Sequence, residues 1–252
     1  MPPPHDARTP AGLGLGLGRQ RASCQTCTSR HRSEWCGLDG VELNRLNQFK
    51  VCTTYQAGQA IFHQGHPCLG IYCVEAGTVA LRKTDEHGNM VITRLVHAGD
   101  TLGYRAYFSG SAYSASAEAL TATRVCFLQR DALRDLLSRN PTVTYAFLKH
   151  LARDLEEADT AKLHSASLPV RARLAHLLLI LRDRFGEVQA DGTLRIQLPL
   201  ARQDIAAMLG ARPETIARAV RALETDGVAH FDGRTVVVPD LDPLLDEMDA
   251  PV

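Results

Sequence analysis

The stretch that decides the fold is PLARQDIAAMLGARPETIARAVRALETDG, residues 199–227. Apolar side chains recur at helical spacing on both sides of Gly210, which predicts two short helices joined by a tight turn. Pro213 suits the first position of the second helix, because the amide there has no partner within a helix. This pattern is typical of a helix-turn-helix, whose second helix enters the DNA major groove. A helical hairpin inside an ordinary core would carry the same pattern.

The flanking segments favour the DNA-binding interpretation. Residues 228–231 and 235–238 predict two strands around the turn Asp232-Gly233-Arg234, where a wing would stand. Residues 169–185 predict a helix that precedes the motif and ends at Gly186. We therefore predict a winged helix-turn-helix in residues 167–252.

Composition limits the other possibilities. The chain has 252 residues, enough for two domains, and its 28 Lys and Arg balance its 28 Asp and Glu. Zero net charge gives no support for strong non-specific binding to nucleic acid, so a DNA-binding function depends on local motifs. The sequence contains no long apolar run and no secretory signal pattern. We expect a cytoplasmic protein that does not span a membrane.

The middle of the chain predicts a β-rich domain. Between about residues 53 and 129, short β-prone runs alternate with turns such as Ala76-Gly77 and Ala98-Gly99-Asp100. Many short strands at even spacing favour a small all-β barrel or roll. Short helices are predicted on either side of it, over residues 38–49 and 130–139.

A long helix is predicted next, from Pro141 to about Ser165. Alternating spacings of three and four residues give it an apolar seam of heptad type, formed by Leu148, Leu151, Leu155 and Ala158. Such a seam favours a two-fold dimer axis, although a helix lying on its own domain's core is the alternative. The pair Leu168-Pro169 then predicts a hinge.

The seven cysteines are an odd number, which favours thiols or metal ligands over a disulfide framework. Cys24 and Cys27 form a C-x2-C pair, and Cys36 follows after eight further residues. Three thiolates at this spacing suit a metal centre but are one short of a closed four-thiolate site. Residues 1–22, rich in Pro and Gly, predict a disordered tail.

In this order, the β-roll, long helix, hinge and winged helix-turn-helix resemble the bacterial Crp/Fnr transcription-factor family over about residues 38–240. Residues 202–227, RQDIAAMLGARPETIARAVRALETDG, match the family pattern closely. GIYCVEAGTVALRK (residues 70–83) and GDTLGYRAYF (residues 99–108) stand at the expected places in the roll. The resemblance implies a non-enzymatic activator that binds palindromic double-stranded promoter DNA as a homodimer and contacts RNA polymerase.

The fold class implied is α+β, with an N-terminal cyclic-nucleotide-binding-like β-roll, a long dimerisation helix and a C-terminal winged helix-turn-helix. Residues 23–130 would hold the cysteine segment and the sensor roll. Residues 131–166 would hold the helices that include the dimerisation helix.

Two features bear on the branch of the family. In the branch that binds cyclic AMP, an Arg-Ser pair holds the cyclic phosphate and a Glu contacts the ribose. Tyr113-Ser114 and Thr101 stand in those places here. A buried phosphate calls for bidentate pairing by arginine, so we do not expect cyclic AMP to bind.

The cysteines resemble those of the oxygen-sensing Fnr branch, in which a [4Fe-4S] cluster is held by three N-terminal cysteines and one from the roll. That resemblance implies Cys24, Cys27, Cys36 and Cys126 as cluster ligands. Cys126 alone would equally suit a small buried residue of a strand. The other cysteines match no ligand position: Cys52, Cys68 and Cys73, the last expected in the core. A different redox centre that uses Cys52 or Cys68 is the alternative.

On the second helix of the motif, Glu214 and Arg218 are four residues apart and share a face. Arginine suits guanine O6 and N7, and glutamate accepts from cytosine N4. By resemblance these two side chains read a TGA/TCA half-site, with Ala217 where the Fnr branch usually has serine. The same resemblance implies phosphate contacts from Arg202, Gln203 and Thr215.

Three alternatives remain at this point. A regulator of the same fold could respond without a cluster, through thiols or a small effector in the β-roll. An enzyme with a cyclic-nucleotide-like domain lacks any evident nucleophile–base set in this sequence. A structural dimer module would use the helical hairpin to bind protein.

Overall fold

The computed structural model describes residues 23–248, so the tail predicted over residues 1–22 lies outside the described residues. The helices are α1 (Gly40–Phe49), α2 (Tyr104–Ser109), α3 (Arg130–Arg139), α4 (Pro141–Ser167), α5 (Val170–Phe185), α6 (Arg202–Leu209), α7 (Pro213–Thr225) and α8 (Leu241–Asp246). The strands are β1 (Lys50–Tyr55), β2 (Ala60–Phe62), β3 (Gly70–Ala76), β4 (Thr78–Thr84), β5 (Met90–His97), β6 (Thr101–Leu102), β7 (Ser116–Ala119), β8 (Thr123–Gln129), β9 (Gly186–Val188), β10 (Leu194–Gln197), β11 (His230–Asp232) and β12 (Thr235–Val238).

The roll consists of two antiparallel four-stranded sheets, with strand orders β1-β8-β3-β6 and β2-β7-β4-β5. Apolar side chains that include Val74, Val79, Val96 and Val125 pack between them. The predicted β-roll is confirmed. The short helix α2 within the GDTLGYRAYF segment was not predicted, because its six residues are too few to show a helical period.

Ahead of the roll lies the cysteine segment, residues 23–37, which forms two 3-10 turns at Thr28–Arg32 and Glu34–Gly37. The segment packs closely against the turn that follows β5. Gly99 has a φ of +101°, and a Cβ there would lie 3.0 Å from Arg32 Cβ and 3.2 Å from Ser29 O. Glycine is therefore required at this turn both for its backbone angle and for the close contact.

After the roll, α4 runs for 27 residues, slightly longer than predicted. Its faces differ in burial: Phe147, His150 and Asp154 are buried, whereas Leu148 is 57% exposed and Leu155 65% exposed. The buried face packs on the roll and on the cysteine segment. The exposed face carries Leu148, Leu155 and Ala158 of the predicted seam, whereas Leu151 is half-buried and packs against the protomer's own apolar cluster.

In the C-terminal part, α5, α6 and α7 pack on a four-stranded antiparallel sheet of order β11-β12-β10-β9. Gly210 ends α6 in the left-handed conformation, and Pro213 opens α7 as predicted. The β11–β12 hairpin forms the wing. Among residues 23–248, no helix is both long and apolar enough to cross a membrane.

The C-terminal part also contacts the roll. Ala80, Ile92 and Leu120 belong to the same buried apolar cluster as the side chains of the helix-turn-helix. Beside them, Arg82 Nη2 lies 3.1 Å from Glu118 Oε1 and 2.8 Å from Asp204 Oδ1. The roll and the DNA-binding part therefore share an interface with an apolar centre and a charged edge.

Candidate functional site

A cleft between the cysteine segment and the β1-β8-β3-β6 sheet collects four cysteines. Its lining includes Cys24, Cys27, Cys73 and Cys126, together with Trp35. We call it the sulfur cleft. Three of the four predicted cluster ligands therefore line one space, whereas the fourth, Cys36, is exposed and lies outside the lining.

Strand register explains why the roll contributes sulfur to this cleft. Cys126 on the inner strand β8 lies directly opposite Cys52 on β1 and Cys73 on β3. Residues directly opposite each other in antiparallel pairs project from the same face of the sheet, so the three sulfurs form a row. The expectation that Cys73 belongs to the core holds in part, because its side chain packs against the apolar cluster around Trp35 and Ile71. It is half-buried and lines the cleft, because the covering layer is the cysteine segment rather than the other sheet.

One bond in this row was not foreseen from sequence: Cys52 and Cys126 form a disulfide. The two residues are separated by 74 positions in the chain, and only the register of β1 and β8 brings them together. Glu75 lies nearby, with its Oε2 3.8 Å from Cys126 Sγ. Cys126, a predicted cluster ligand, is therefore bonded to a second sulfur in this structure.

Charge and burial act in opposite directions on the thiols of the cleft. Burial raises the pKa of Cys24, and the Lys50 ammonium, which donates to Cys24 Sγ at 3.1 Å, partly offsets that rise. Burial likewise raises the pKa of Cys73. An iron centre would reverse this balance, because thiolate ligands are deprotonated by the metal they bind.

The donors around the cleft fit a [4Fe-4S] cluster. Arg30 Nε is buried and has no hydrogen-bond acceptor among the described residues, and the buried Trp35 Nε1 faces the sulfur of Cys73; both side chains line the cleft. Hydrogen bonds to cluster sulfur are one of the ways in which proteins stabilise and tune such centres. Cysteine thiolates next to buried N–H donors are a suitable set for that group, provided that Cys126 is reduced.

The cysteine segment is joined to α4 by a buried polar cluster. Glu34 accepts a hydrogen bond from Thr101 Oγ1 at 2.7 Å and makes a short contact with His150 Nδ1 on α4. Asp154, one turn further along, pairs with Arg94 of β5 at 2.8 Å. Beside this cluster, the rings of Trp35 and Phe147 meet edge to face, 5.4 Å apart. The segment that holds three predicted ligands therefore rests directly on the predicted dimerisation helix.

A second pocket lies in the roll, and the residues that stand in place of the expected cyclic-nucleotide-binding side chains line it. Its lining includes Phe62, Thr101, Tyr113 and Ser114. The Tyr113 ring stacks on Phe62 with ring centres 4.1 Å apart, and its hydroxyl donates to Gly70 O at 2.8 Å. Thr101 Oγ1 donates its hydrogen bond to Glu34 Oε2. The side chains that replace the expected arginine and glutamate are thus engaged with other parts of the protein.

The predicted DNA-reading residues lie on the outer side of the helix-turn-helix. Glu214 and Arg218 are exposed on α7, and Ala217 and Thr215 are half-buried between them. Arg218 Nη2 donates to Thr215 Oγ1 at 3.3 Å. The opposite face of α7 is buried: Ile216, Ala219, Val220 and Leu223. The predicted phosphate contacts Arg202 and Gln203 are exposed at the start of α6.

Comparisons with known proteins agree with this architecture. Residues 52–140 match the cyclic nucleotide-binding domain family, and residues 172–247 match the Crp-like helix-turn-helix domain family. The chain is 31% identical over 228 residues to the transcriptional activator protein FnrL of Cereibacter sphaeroides, covering 89% of this chain and 91% of that protein.

It is also 27% identical over 208 residues to a CRP-like cAMP-activated global transcriptional regulator of Mycobacterium tuberculosis, covering 82% of this chain and 92% of that one. Among solved structures, FixK2 from Bradyrhizobium japonicum superposes with a TM-score of 0.69 at 26% identity, covering 81% of this chain and 99% of that chain. Regulators with the Crp-type helix-turn-helix bind DNA and act as dimers. The chain belongs to the Crp/Fnr family of DNA-binding transcription regulators and is not an enzyme.

Proposed function

We propose that this regulator binds palindromic promoter sites as a homodimer and that an oxygen- or redox-labile [4Fe-4S] cluster in the sulfur cleft controls its binding. The observation that carries the proposal is the convergence of Cys24, Cys27 and Cys126 on one cleft whose covering segment rests on α4. Cys36 is the fourth proposed ligand, and it belongs to the same short segment. We place the protein in the cytoplasm, where promoter DNA and RNA polymerase are its partners.

The residues of the chain would couple the cleft to DNA in two steps. Ligation would hold residues 23–37 against the roll, and the contacts of Glu34 and Trp35 would fix the position of α4. The seam residues would then pair with those of a second copy: Leu148, Leu155 and Ala158, which are exposed, and Leu151, which is half-buried on its own protomer. When bound, the cluster would supply sensitivity to oxygen and nitric oxide.

On DNA, the dimer would set two α7 helices about one helical turn apart on a palindromic site. Glu214 and Arg218 would contact base edges, and Arg202, Gln203 and Thr215 would contact phosphates. Ala217 has only a methyl group to offer, so it would contact a thymine methyl rather than donate a hydrogen bond.

The test is an ultraviolet–visible spectrum with iron and sulfide analysis on protein purified without oxygen, repeated after exposure to air. We expect a brown protein that loses its colour in air. Cys36→Ser should abolish iron binding, and Cys73→Ser should retain it. A colourless, iron-free wild-type protein under strict anoxia would refute the cluster, and a gel shift on a palindromic TGA probe would test DNA binding separately.

A further inference from the structure

Cys126 takes part in two arrangements that exclude each other. As a cluster ligand it needs a free thiolate, whereas in the disulfide its sulfur is already bonded to Cys52. We propose that Cys52 is the alternative partner of Cys126, and that this cross-strand pair is an oxidant-responsive thiol site that blocks cluster binding when it is oxidised. The blocking effect rests on the proposed function, but the disulfide itself does not.

Register selects Cys52 from the other thiols. Its Cα lies 4.0 Å from that of Cys126, directly opposite on the neighbouring strand, so the two sulfurs meet without any change of strand register. Cys73 lies in register on the other side of Cys126 and yet remains free. It sits beneath the cysteine segment in the sulfur cleft, whereas Cys52 lies on the edge strand β1.

The pair is also accessible to small oxidants. Strand β1 is an edge strand of its sheet, and Cys52 is half-buried rather than enclosed. On the other side, Cys126 faces the sulfur cleft. Glu75, which lies near Cys126 Sγ, is ion-paired with Arg124 at 3.1 Å, so its charge is partly neutralised. An uncharged two-electron oxidant such as a peroxide therefore has a route to the pair.

The chemistry balances with a peroxide as oxidant. One thiolate attacks a peroxide oxygen, the O–O bond breaks, and a sulfenic acid forms with release of hydroxide or alkoxide. The second thiol then attacks that sulfur, the S–O bond breaks, the S–S bond forms and water leaves. The two cysteines together lose two protons and two electrons, and the peroxide is reduced. A dithiol reductant reverses the reaction by thiol–disulfide exchange.

The sulfur of Cys126 would then be controlled in two ways, by cluster ligation and by disulfide formation with Cys52. When the cluster is lost in the presence of peroxide, Cys126 would be captured by Cys52 instead of remaining ready to bind iron again. Removal of oxygen alone would then not restore the cluster. Recovery would also require a reductant that opens the disulfide.

The test is differential alkylation of full-length apoprotein treated with hydrogen peroxide and then with N-ethylmaleimide, followed by peptide mass mapping. In wild type we expect a Cys52–Cys126 cross-linked peptide that has lost two hydrogens, and no alkylation of either residue until a dithiol is added. Cys68→Ala is the matched control, because Cys68 is a buried cysteine of the roll outside this row, and it should behave as wild type. The variant that removes the disulfide partner is Cys52→Ala, and Cys52→Ser replaces it if Cys52→Ala does not fold.

Anaerobic cluster reconstitution of aerobically isolated protein completes the test. Wild type should take up iron and sulfide only after reduction, whereas Cys52→Ala should take them up without it. Two results would overturn the inference and leave the cluster proposal standing. One is alkylation of Cys126 in the unreduced wild type, and the other is that unreduced wild type takes up as much iron and sulfide as Cys52→Ala. A mapped Cys52–Cys126 disulfide in a protein that never binds iron would refute the cluster proposal and leave the disulfide assignment standing.

Discussion

The proposed reading of DNA bases depends on two residues of α7, Glu214 and Arg218. Both side chains are exposed. Arg218 Nη2 donates a hydrogen bond to Thr215 Oγ1 on the same helix, so a small movement of the guanidinium would let it contact DNA. A bidentate arginine–guanine contact is the commonest specific contact in the major groove. The opposite face of α7 is fixed in the core, which restricts base reading to this side.

We expect Arg218→Ala to cost about 1–3 kcal/mol of discrimination at the guanine of each half-site. Fluorescence anisotropy titrations on the palindrome and on single-base variants at constant salt would measure this. Arg221→Ala is the control, since Arg221 is exposed on the same helix and lies outside the proposed base-reading residues. Equal base preference in wild type and Arg218→Ala would contradict the assignment.

Other single residues mark the limits of sequence interpretation. The absence of an arginine at Tyr113 could be seen from sequence, but its stacking on Phe62 could not, because the two residues lie on separate segments. Likewise, the C-x2-C pair was evident, but the Cys52–Cys126 bond depends on a register that no spacing reveals.

Helix α4 has two faces with different proposed roles, and each role can be tested separately. Its exposed face bears Leu148 and Leu155, whose side chains are largely accessible in the single chain. Its buried face bears His150 and Asp154, which contact the cysteine segment and the roll. The heptad spacing predicted the first face, but the second depends on contacts between residues 116 positions apart.

We expect Leu155→Lys to shift the protein toward monomer, because a charge on the seam opposes its own copy across a two-fold axis. The free energy of unfolding of the protomer should change by no more than about 0.5 kcal/mol, as for other exposed positions. Sedimentation velocity on the protein in its DNA-binding state measures the first effect. Glu156→Lys, one position away from the seam, should leave the dimer intact.

We expect Glu34→Ala to loosen the cysteine segment from α4. It would leave Thr101 and His150 buried without their acceptor, at a cost of about 1–3 kcal/mol in stability. Urea unfolding measures that cost, and hydrogen exchange over residues 24–37 should show faster exchange of this segment. Glu157→Ala, exposed on α4, provides the comparison. Unchanged exchange in Glu34→Ala would show that the segment is held by other contacts.

At the scale of the whole molecule, His97 lies where the roll meets the C-terminal part. Its ring packs 5.7 Å from that of Phe185 on α5. Burial, assisted by the positive charge of Arg184, lowers the pKa of His97 from 6.5 to about 4. The unfolded chain therefore binds more protons than the folded chain between these two pH values, so the contribution to stability is complete above pH 6.5 and is lost as the pH falls toward 4.

We expect His97→Gln to flatten the pH dependence of stability in that window. Urea unfolding midpoints at about pH 7.5 and about pH 5 would show a smaller difference in the variant than in wild type. His87→Gln, on the exposed β4–β5 hairpin, should retain the wild-type difference. An identical loss of stability in wild type and His97→Gln on acidification would assign the effect to other groups.

The Asp204 carboxylate serves both parts of the molecule at once. One oxygen accepts from the backbone N–H of Ala201 at the start of α6, and the other pairs with Arg82 of the roll. A hybrid regulator made by grafting residues 172–247 of a relative onto this roll would therefore need an acid at this position. Without one, α6 would lose a cap and Arg82 would lose a partner in the same substitution. The roll and the DNA-binding part are consequently not independent units in this chain, and exchange of one between relatives requires a matched change in the other.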